Sequence, residues 1–371
     1  MNAIKRLRKL QGEGKKIVGC FPLYPPVELF YAMELVPVVL WGLTDAHTQT
    51  PKSDRHLQNY TCFVARDLTE FILTQGHALL DGIFMYNACD TLRNLPEIFI
   101  KETKASGGSL PLIRMHLPMS PQDQTDSSKY FNDEINAVIR SFTEDLGTSF
   151  SSERFEEGIR LYNRMRKLAI FAQHRVARGR MGFLPFADTM RNACFMPVGE
   201  QVSALESLLR MYPEDSGDPN DSKTDTGVIL SGILPPPPSI IAAIESAGMR
   251  VVGNDIASLH RSYADIPAPE SDPCEYYRDF YFHHTPCSTL LFSGDRRLQT
   301  LMDMVDKTGA MGVIFVGEKF CEYEYFEFPY LEKELRKKGV KTLRIEISMQ
   351  DDAHAGGISS RIEAFAEMTA S

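Results

Sequence analysis

The most constraining feature of this chain is a strand–proline–helix–strand pattern that occurs once in each half. Lys16-Ile17-Val18-Gly19-Cys20 reads as a buried strand; Pro22, Pro25 and Pro26 then start a helix carried by Glu28 to Glu34, and Pro37 to Trp41 forms the next strand. Proline suits a first helical turn because the amide it lacks has no partner there. Late in the chain Val228 to Leu234 is a strand, Pro235 to Pro238 the break, and Ile240 to Ile244 a helix ending near Gly248. Glycine suits the left-handed cap at that point, and Arg250-Val251-Val252-Gly253 is the following strand. Further strand–helix pairs come after each unit. Asp81 to Ala88 leads into a helix through Leu95 to Phe99, and Val313 to Val316 leads to a helix over Tyr330 to Lys338, Gly339 and a strand Lys341 to Ile347.

Strands alternating with helices predict an α/β protein with two doubly wound, Rossmann/flavodoxin-like domains and parallel sheets. The echo between halves fits a duplication and fits the shared grammar of α/β folds equally. From about residue 120 to 215 strand signals fade, and Phe155, Ile159, Tyr162, Met165, Leu168 and Ala169 recur at helical spacing. Glu200 to Leu209 also reads as helix, and Pro213 to Ser222 as a polar linker. The expected organisation is an N-terminal α/β domain over 1–120 with Cys62 and Cys89, a helical segment and linker over 121–222, and a C-terminal α/β domain over 223–371 with Cys321.

With 371 residues, 43% hydrophobic and 24% charged, the chain has the composition of an ordinary globular protein large enough for two cores. A net charge of −9 argues against a nucleic-acid binder, which normally shows a basic face. No apolar run reaches the length of a membrane span. The basic start, Met1 to Leu10, lacks an apolar core and cleavage site and reads as a short amphipathic helix, so the expected location is cytoplasmic.

Seven cysteines without regular spacing do not make a disulfide framework, and the absence of Cys-x-x-Cys excludes ribbon and ferredoxin-type runs. Cys89 and Cys321 each follow a short apolar strand and precede a helix. Ligands of open α/β sheets bind outside the carboxyl ends of the strands, so thiols delivered there from both halves are placed to meet. Cys62 precedes a helical face formed by Val64, Leu68, Phe71 and Ile72, where free amides and the dipole favour a thiolate. For each one the plain alternative is a small buried apolar residue. Cys20 also ends a strand and competes with the three on position alone.

Cys194 reads as packing within the helical region. Cys274 and Cys287 flank a segment containing His283-His284, but adjacent residues on a helix or strand point apart. Asp295-Arg296-Arg297 and Arg93 are candidate anion contacts, although solvated charge is the commoner fate of such residues. No Gly-x-Gly-x-x-Gly follows a strand, and neither a Walker A loop nor a Gly-x-Ser-x-Gly elbow occurs.

Gly14 to Glu28 with Leu35 to Gly42, Asp81-Gly82-Ile83 leading to Ala88-Cys89-Asp90-Thr91-Leu92, and Lys319-Phe320-Cys321-Glu322 followed by Tyr325 to Tyr330 together carry a resemblance. From about residue 10 to its end the chain resembles the smaller (beta, D-component type) iron–sulfur subunits of the 2-hydroxyacyl-CoA dehydratase and benzoyl-CoA reductase family. The resemblance implies that Cys62, Cys89 and Cys321 bind a [4Fe-4S] cluster, leaving one iron for a non-cysteine ligand, and it chooses these three over Cys20. It further implies an anaerobic heterodimer with a related larger (alpha) subunit, an ATP-dependent iron–sulfur activator protein and an acyl-CoA substrate. In such proteins one low-potential electron converts the thioester carbonyl to a ketyl, so that hydroxide leaves and the enoyl-CoA forms. In the reductase branch similar electrons dearomatise the benzoyl ring. A role purely in electron relay, or as a scaffold, is the reading of another class, and a cluster-free α/β binder with structural cysteines is a third.

Overall fold

Apolar segments that alternate with amphipathic helices build the chain into two sheets of the same design. The computed structural model describes residues 3–43, 49–105, 107–118, 125–214, 226–290, 296–348 and 355–370. The first half runs α1 (Ala3–Gly12), β1 (Lys16–Cys20), α2 (Val27–Ala32), β2 (Leu35–Val39), α3 (Phe63–Phe71), a π-turn (Ile72–Gly76), α4 (His77–Leu79), β3 (Gly82–Tyr86), α5 (Asp90–Ala105) and β4 (Leu112–Met115). Its four strands are parallel in the order β2-β1-β3-β4. Four helices come next: α6 (Thr125–Leu146), α7 (Ser152–Ala177), α8 (Phe183–Ala193) and α9 (Val198–Met211). The second half runs β5 (Thr226–Gly232), α10 (Pro238–Ser246), β6 (Met249–Ile256), α11 (His260–Tyr263), α12 (Pro273–His283), α13 (Arg296–Thr308), β7 (Gly312–Glu318), α14 (Glu322–Lys337), β8 (Lys341–Ile347) and α15 (Ala355–Ala370). Its four parallel strands lie in the order β6-β5-β7-β8.

This is the expected α/β class, with the same strand order in both sheets. The central strands β3 and β7 are buried along their whole length. Helices on both faces make such strands near-continuous apolar runs. In each sheet the crossovers leave the two middle strands in opposite directions. The carboxyl ends of β1 and β3, and of β5 and β7, are therefore topological switch points, where such sheets take ligands.

Several boundaries differ from the sequence expectation. β2 starts at Leu35 and gives way at Leu40 to a 3₁₀ turn, so Trp41 lies beyond the strand. β4 is an addition to the expected strands, only four residues long and with one exposed position, Arg114. The helix expected from Tyr330 begins at Glu322 and carries Pro329 inside it. Gly248 caps α10 at φ 74°, as expected. Of the expected linker only Pro213 and Glu214 lie within the described residues.

The helical segment joins the halves. α7, capped by Ser151 accepting the Arg154 amide at 3.3 Å, packs on α2 and on β6. α12 crosses to pack on α6, and its Tyr276, Tyr277 and Tyr281 enter the core of the first half. There Glu28 of α2 pairs with Arg166 of α7 at 2.7 Å and accepts the hydroxyls of Tyr276 at 3.0 Å and Tyr277 at 2.8 Å. Glu28 and Arg166 are almost fully buried; the two tyrosine hydroxyls on Glu28, and Asn163 Oδ1 accepting from Arg166 at 2.9 Å, offset part of the cost of burying the pair.

Candidate metal centre

Cys62, Cys89 and Cys321 line one cleft of about 410 Å³. Leu23, three residues beyond β1, and Ile233, just beyond β5, form its walls with Trp41, Val64 and Ala88, and Tyr60 and Phe320 are at its exposed margin. The three thiols arrive by one local device. Each residue sits at a helix start, so its carbonyl accepts the amide four residues on: Arg66 onto Cys62 at 3.3 Å, Arg93 onto Cys89 at 2.9 Å and Tyr325 onto Cys321 at 3.3 Å. Cys89 and Cys321 each stand three residues beyond a strand end, Tyr86 and Glu318. The Phe320 backbone before Cys321 is held at φ 67°, a left-handed turn unusual for an aromatic residue.

All three cysteines are free and half-buried. Burial pushes the Cys62 thiol up to about 12, and its neighbours Cys89, Glu318 and Glu324 add to the shift. Burial likewise raises Cys89, and raises Cys321 well above the ordinary thiol value, with Glu324, Cys62 and Cys89 reinforcing the latter. Cys62 and Cys321 thus each feel the charge of other sulfurs in the cleft. Opposing this, the amide three residues on faces each sulfur. Leu92 donates to Cys89 Sγ at 3.4 Å, and the amides of Ala65 and Glu324 favour the thiolates of Cys62 and Cys321 without closing a full cap. Three helix amino termini therefore point partial positive charge at three sulfurs. Without a cation the sulfurs stay protonated; a cationic centre supplies the charge that makes them thiolates. Among the described residues no group of three His, Cys, Asp or Glu is placed to hold a single metal ion. Soft sulfur donors spread around a cleft suit a polynuclear iron–sulfur core.

Behind Cys321 lies Glu324, 2% exposed, whose Oε2 accepts the Glu318 amide at 2.9 Å. Burial raises its carboxyl to about 7 against the opposing pull of that amide and of Arg261. Deeper, Asp255 at the carboxyl end of β6 is gripped by Arg261, at 3.0 Å, and by Arg297. Burial alone would raise Asp255, but the two guanidiniums outweigh it and hold its carboxyl well below the usual range. Residue spacing gives no sign of Trp41, Glu324 or this Asp–Arg knot in the site; the one signal is an acidic residue beside a strand-end cysteine.

The remaining candidates are elsewhere. Cys20 is fully buried within the first core. Cys194 ends α8, its thiol on the Met190 carbonyl at 3.6 Å, and lines a different cavity. Cys274 reaches the Asn132 carbonyl at 3.8 Å, and buried Cys287 meets Arg261 at 3.3 Å. His283 and His284 do point apart, the former exposed against Asp279 and the latter buried. Arg93 is exposed and pairs with Asp90 at 2.5 Å. Arg297 is no anion contact, being 3% exposed and consumed by Asp255 and Glu327. Arg296 caps the carbonyls of Phe282 and His284. Asp295 lies outside the described residues.

Known proteins resemble this chain along nearly its whole length. It is 28% identical over 370 residues to the beta subunit of (R)-2-hydroxyglutaryl-CoA dehydratase from Acidaminococcus fermentans, spanning 97% of this chain and 94% of that one. It is 24% identical over 346 residues to the (R)-phenyllactyl-CoA dehydratase beta subunit of Clostridium sporogenes, spanning 93% and 89%. A benzoyl-CoA reductase subunit of Thauera aromatica is 24% identical over 325 residues, spanning 85% and 81%. The family model for the 2-hydroxyglutaryl-CoA dehydratase D-component matches residues 22–369, and the chain belongs to that family.

Proposed function

We propose that this chain is the iron–sulfur subunit of a 2-hydroxyacyl-CoA dehydratase, holding a [4Fe-4S] cluster on Cys62, Cys89 and Cys321. The observation that carries the proposal is the convergence of three helix-starting cysteines on one cleft at the switch points of both sheets. When bound, the cluster supplies one low-potential electron to chemistry that removes water from a 2-hydroxyacyl-CoA, giving the enoyl-CoA and returning the electron. The chain's own part is electrostatic and steric. The amides of Ala65, Leu92 and Glu324 stabilise the thiolates. Leu23, Trp41, Val64 and Ile233 keep water away from the sulfurs. Glu324 holds a carboxyl behind Cys321. Ligand, amide and apolar shell together set the potential of an iron–sulfur centre.

The partners in this reading are a related alpha subunit and an ATP-dependent activator, in the cytoplasm of an anaerobic cell. No helix of the described residues is long and apolar enough to cross a membrane. A benzoyl-CoA reductase subunit is the second reading, favoured by the match to the Thauera aromatica protein. The test is the purified complex with activator and ATP, offered a 2-hydroxyacyl-CoA and benzoyl-CoA in parallel. Enoyl-CoA formed from the first alone is expected. Reduction of the aromatic ring alone assigns the chain to the second reading, and turnover unaffected by Cys321→Ser overturns a role for the cluster in either.

A further inference from the structure

The lining of the cysteine cleft divides by burial into two parts of different character. His56, Gln58, Asp90, Asn94 and Glu322 are exposed or half-buried and stand toward solvent. The buried part is apolar, built from Leu23, Val64, Ala65, Ala88 and Ile233. Thr289 is the exception. It is 6% exposed, and among the described residues no other hydroxyl, amide or charged side chain of the lining is buried. The Thr289 hydroxyl meets the thiol of Cys287 at 3.2 Å. A thiol is a weak donor and a weak acceptor, so this contact alone satisfies a buried hydroxyl poorly.

Behind the thiol stands a fixed cation. Arg261, 2% exposed, donates to Cys287 Sγ at 3.3 Å. Asp255 clamps that guanidinium, its Oδ1 accepting at 3.0 Å and its carbonyl at 2.8 Å. A run of contacts, Asp255 to Arg261 to Cys287 to Thr289, therefore ends on the cleft. Chemistry gives the run a direction. A guanidinium only donates, so the sulfur accepts from Arg261 and has its S–H to give to Thr289 Oγ1. Thr289 then turns its own O–H into the cleft. The reverse arrangement would aim oxygen lone pairs at the cleft, which is unfavourable wherever thiolates and sulfides fill it. We propose that Thr289 donates a hydrogen bond to the cluster, and that Cys287 and Arg261 hold its hydroxyl in that orientation. The inference rests on the [4Fe-4S] reading above and adds a side-chain donor to the three backbone amides. Hydrogen bonds to the sulfurs are among the determinants of such a cluster's potential. Reduction adds negative charge that a donor stabilises, so Thr289 raises the potential and eases entry of the electron.

Anaerobic redox titration of the wild type, Thr289→Val, Thr289→Ser and Cys287→Ala tests this, with the reduced cluster followed by electron paramagnetic resonance and iron measured in each. Valine keeps the shape of threonine and suits the apolar surroundings, so iron content is expected to stay at the wild-type level. The one-electron reduction equilibrium of Thr289→Val is expected to shift about tenfold toward the oxidised form, a drop of about 59 mV. Thr289→Ser, which keeps the hydroxyl, is expected to stay within threefold of the wild type. Cys287→Ala should shift in the same direction as Thr289→Val by threefold or more. Thr143→Val, at an exposed threonine of α6, is expected to change nothing. A wild type without iron overturns the inference together with the cluster reading. An iron-loaded Thr289→Val that shifts less than threefold overturns the inference alone, as does Thr289→Ser shifting as far as Thr289→Val. Where Thr289→Val holds no iron, Cys287→Ala decides by the same threefold limit.

Discussion

The two sheets share one strand order, yet the segments after their second strands differ completely. After β2 the chain makes an excursion through α3 and returns to β3, delivering Cys62 to the cleft. After β6 the excursion sends α12 away from its own sheet to pack on α6 and close the Glu28 network. The elements after the third strands, by contrast, are near copies. Cys89 and Cys321 occupy the same step beyond β3 and β7, and each is followed by an acidic residue. The lesson is a division of labour. Equivalent positions supply one thiol each, one excursion supplies the third, and the other excursion fixes the two halves against each other.

Breaking the fixing excursion has the largest expected effect on stability. Glu28→Gln leaves Arg166 charged and buried without its carboxylate, for which the expected loss is about 3–5 kcal/mol, read from denaturant unfolding. Asp255→Asn leaves Arg261 without its carboxylate and Arg297 with Glu327 alone, and is expected to cost a similar amount. Its carboxyl is held below the unfolded value, so its contribution is complete above roughly pH 5 and fades as pH falls through about 4 and below. Unfolding measured from pH 7 to pH 3 should therefore decline more steeply for the wild type than for Asp255→Asn.

The last residues of the middle strands sharpen the comparison. Gly232 ends β5, and a Cβ there would sit 2.4 Å from the Val316 carbonyl oxygen of β7 and 3.3 Å from Glu324 Oε1. Gly232→Ala is expected to cost about 1–3 kcal/mol by forcing the strands apart and to loosen metal retention at Cys321. Its counterpart Cys20 ends β1 with its side chain sealed in the core. Cys20→Ala is expected to cost only about 1 kcal/mol and to leave iron content unchanged. Equal iron loss in the two variants would contradict the separation drawn between these positions.

Much of this is legible in the residues, because burial on both faces writes parallel strands as short apolar runs. Val313 to Val316 and Asp81 to Ala88 announce β7 and β3, and the cysteines after them mark the carboxyl ends. β4 escapes since Leu112 to Met115 is short and half-buried, and an edge strand needs fewer apolar residues. α14 starts earlier than its pattern suggests because the proline at 329 lies within it. The choice of Cys62 over Cys20 rests on resemblance, as both stand at element ends. Only the fold separates them: one lines the cleft, the other faces the core. The partner of α12 is not readable either, since Tyr276 and Tyr277 carry no mark of the distant Glu28 that receives them.

The most direct test is iron and acid-labile sulfide in strictly anaerobic preparations of the wild type and of Cys62→Ser, Cys89→Ser and Cys321→Ser. A cluster held by these three thiols predicts about four of each per chain in the wild type and a marked loss in all three variants, with Cys20→Ser retaining both. A wild type without iron, or a variant among the three that keeps its full complement, would contradict it.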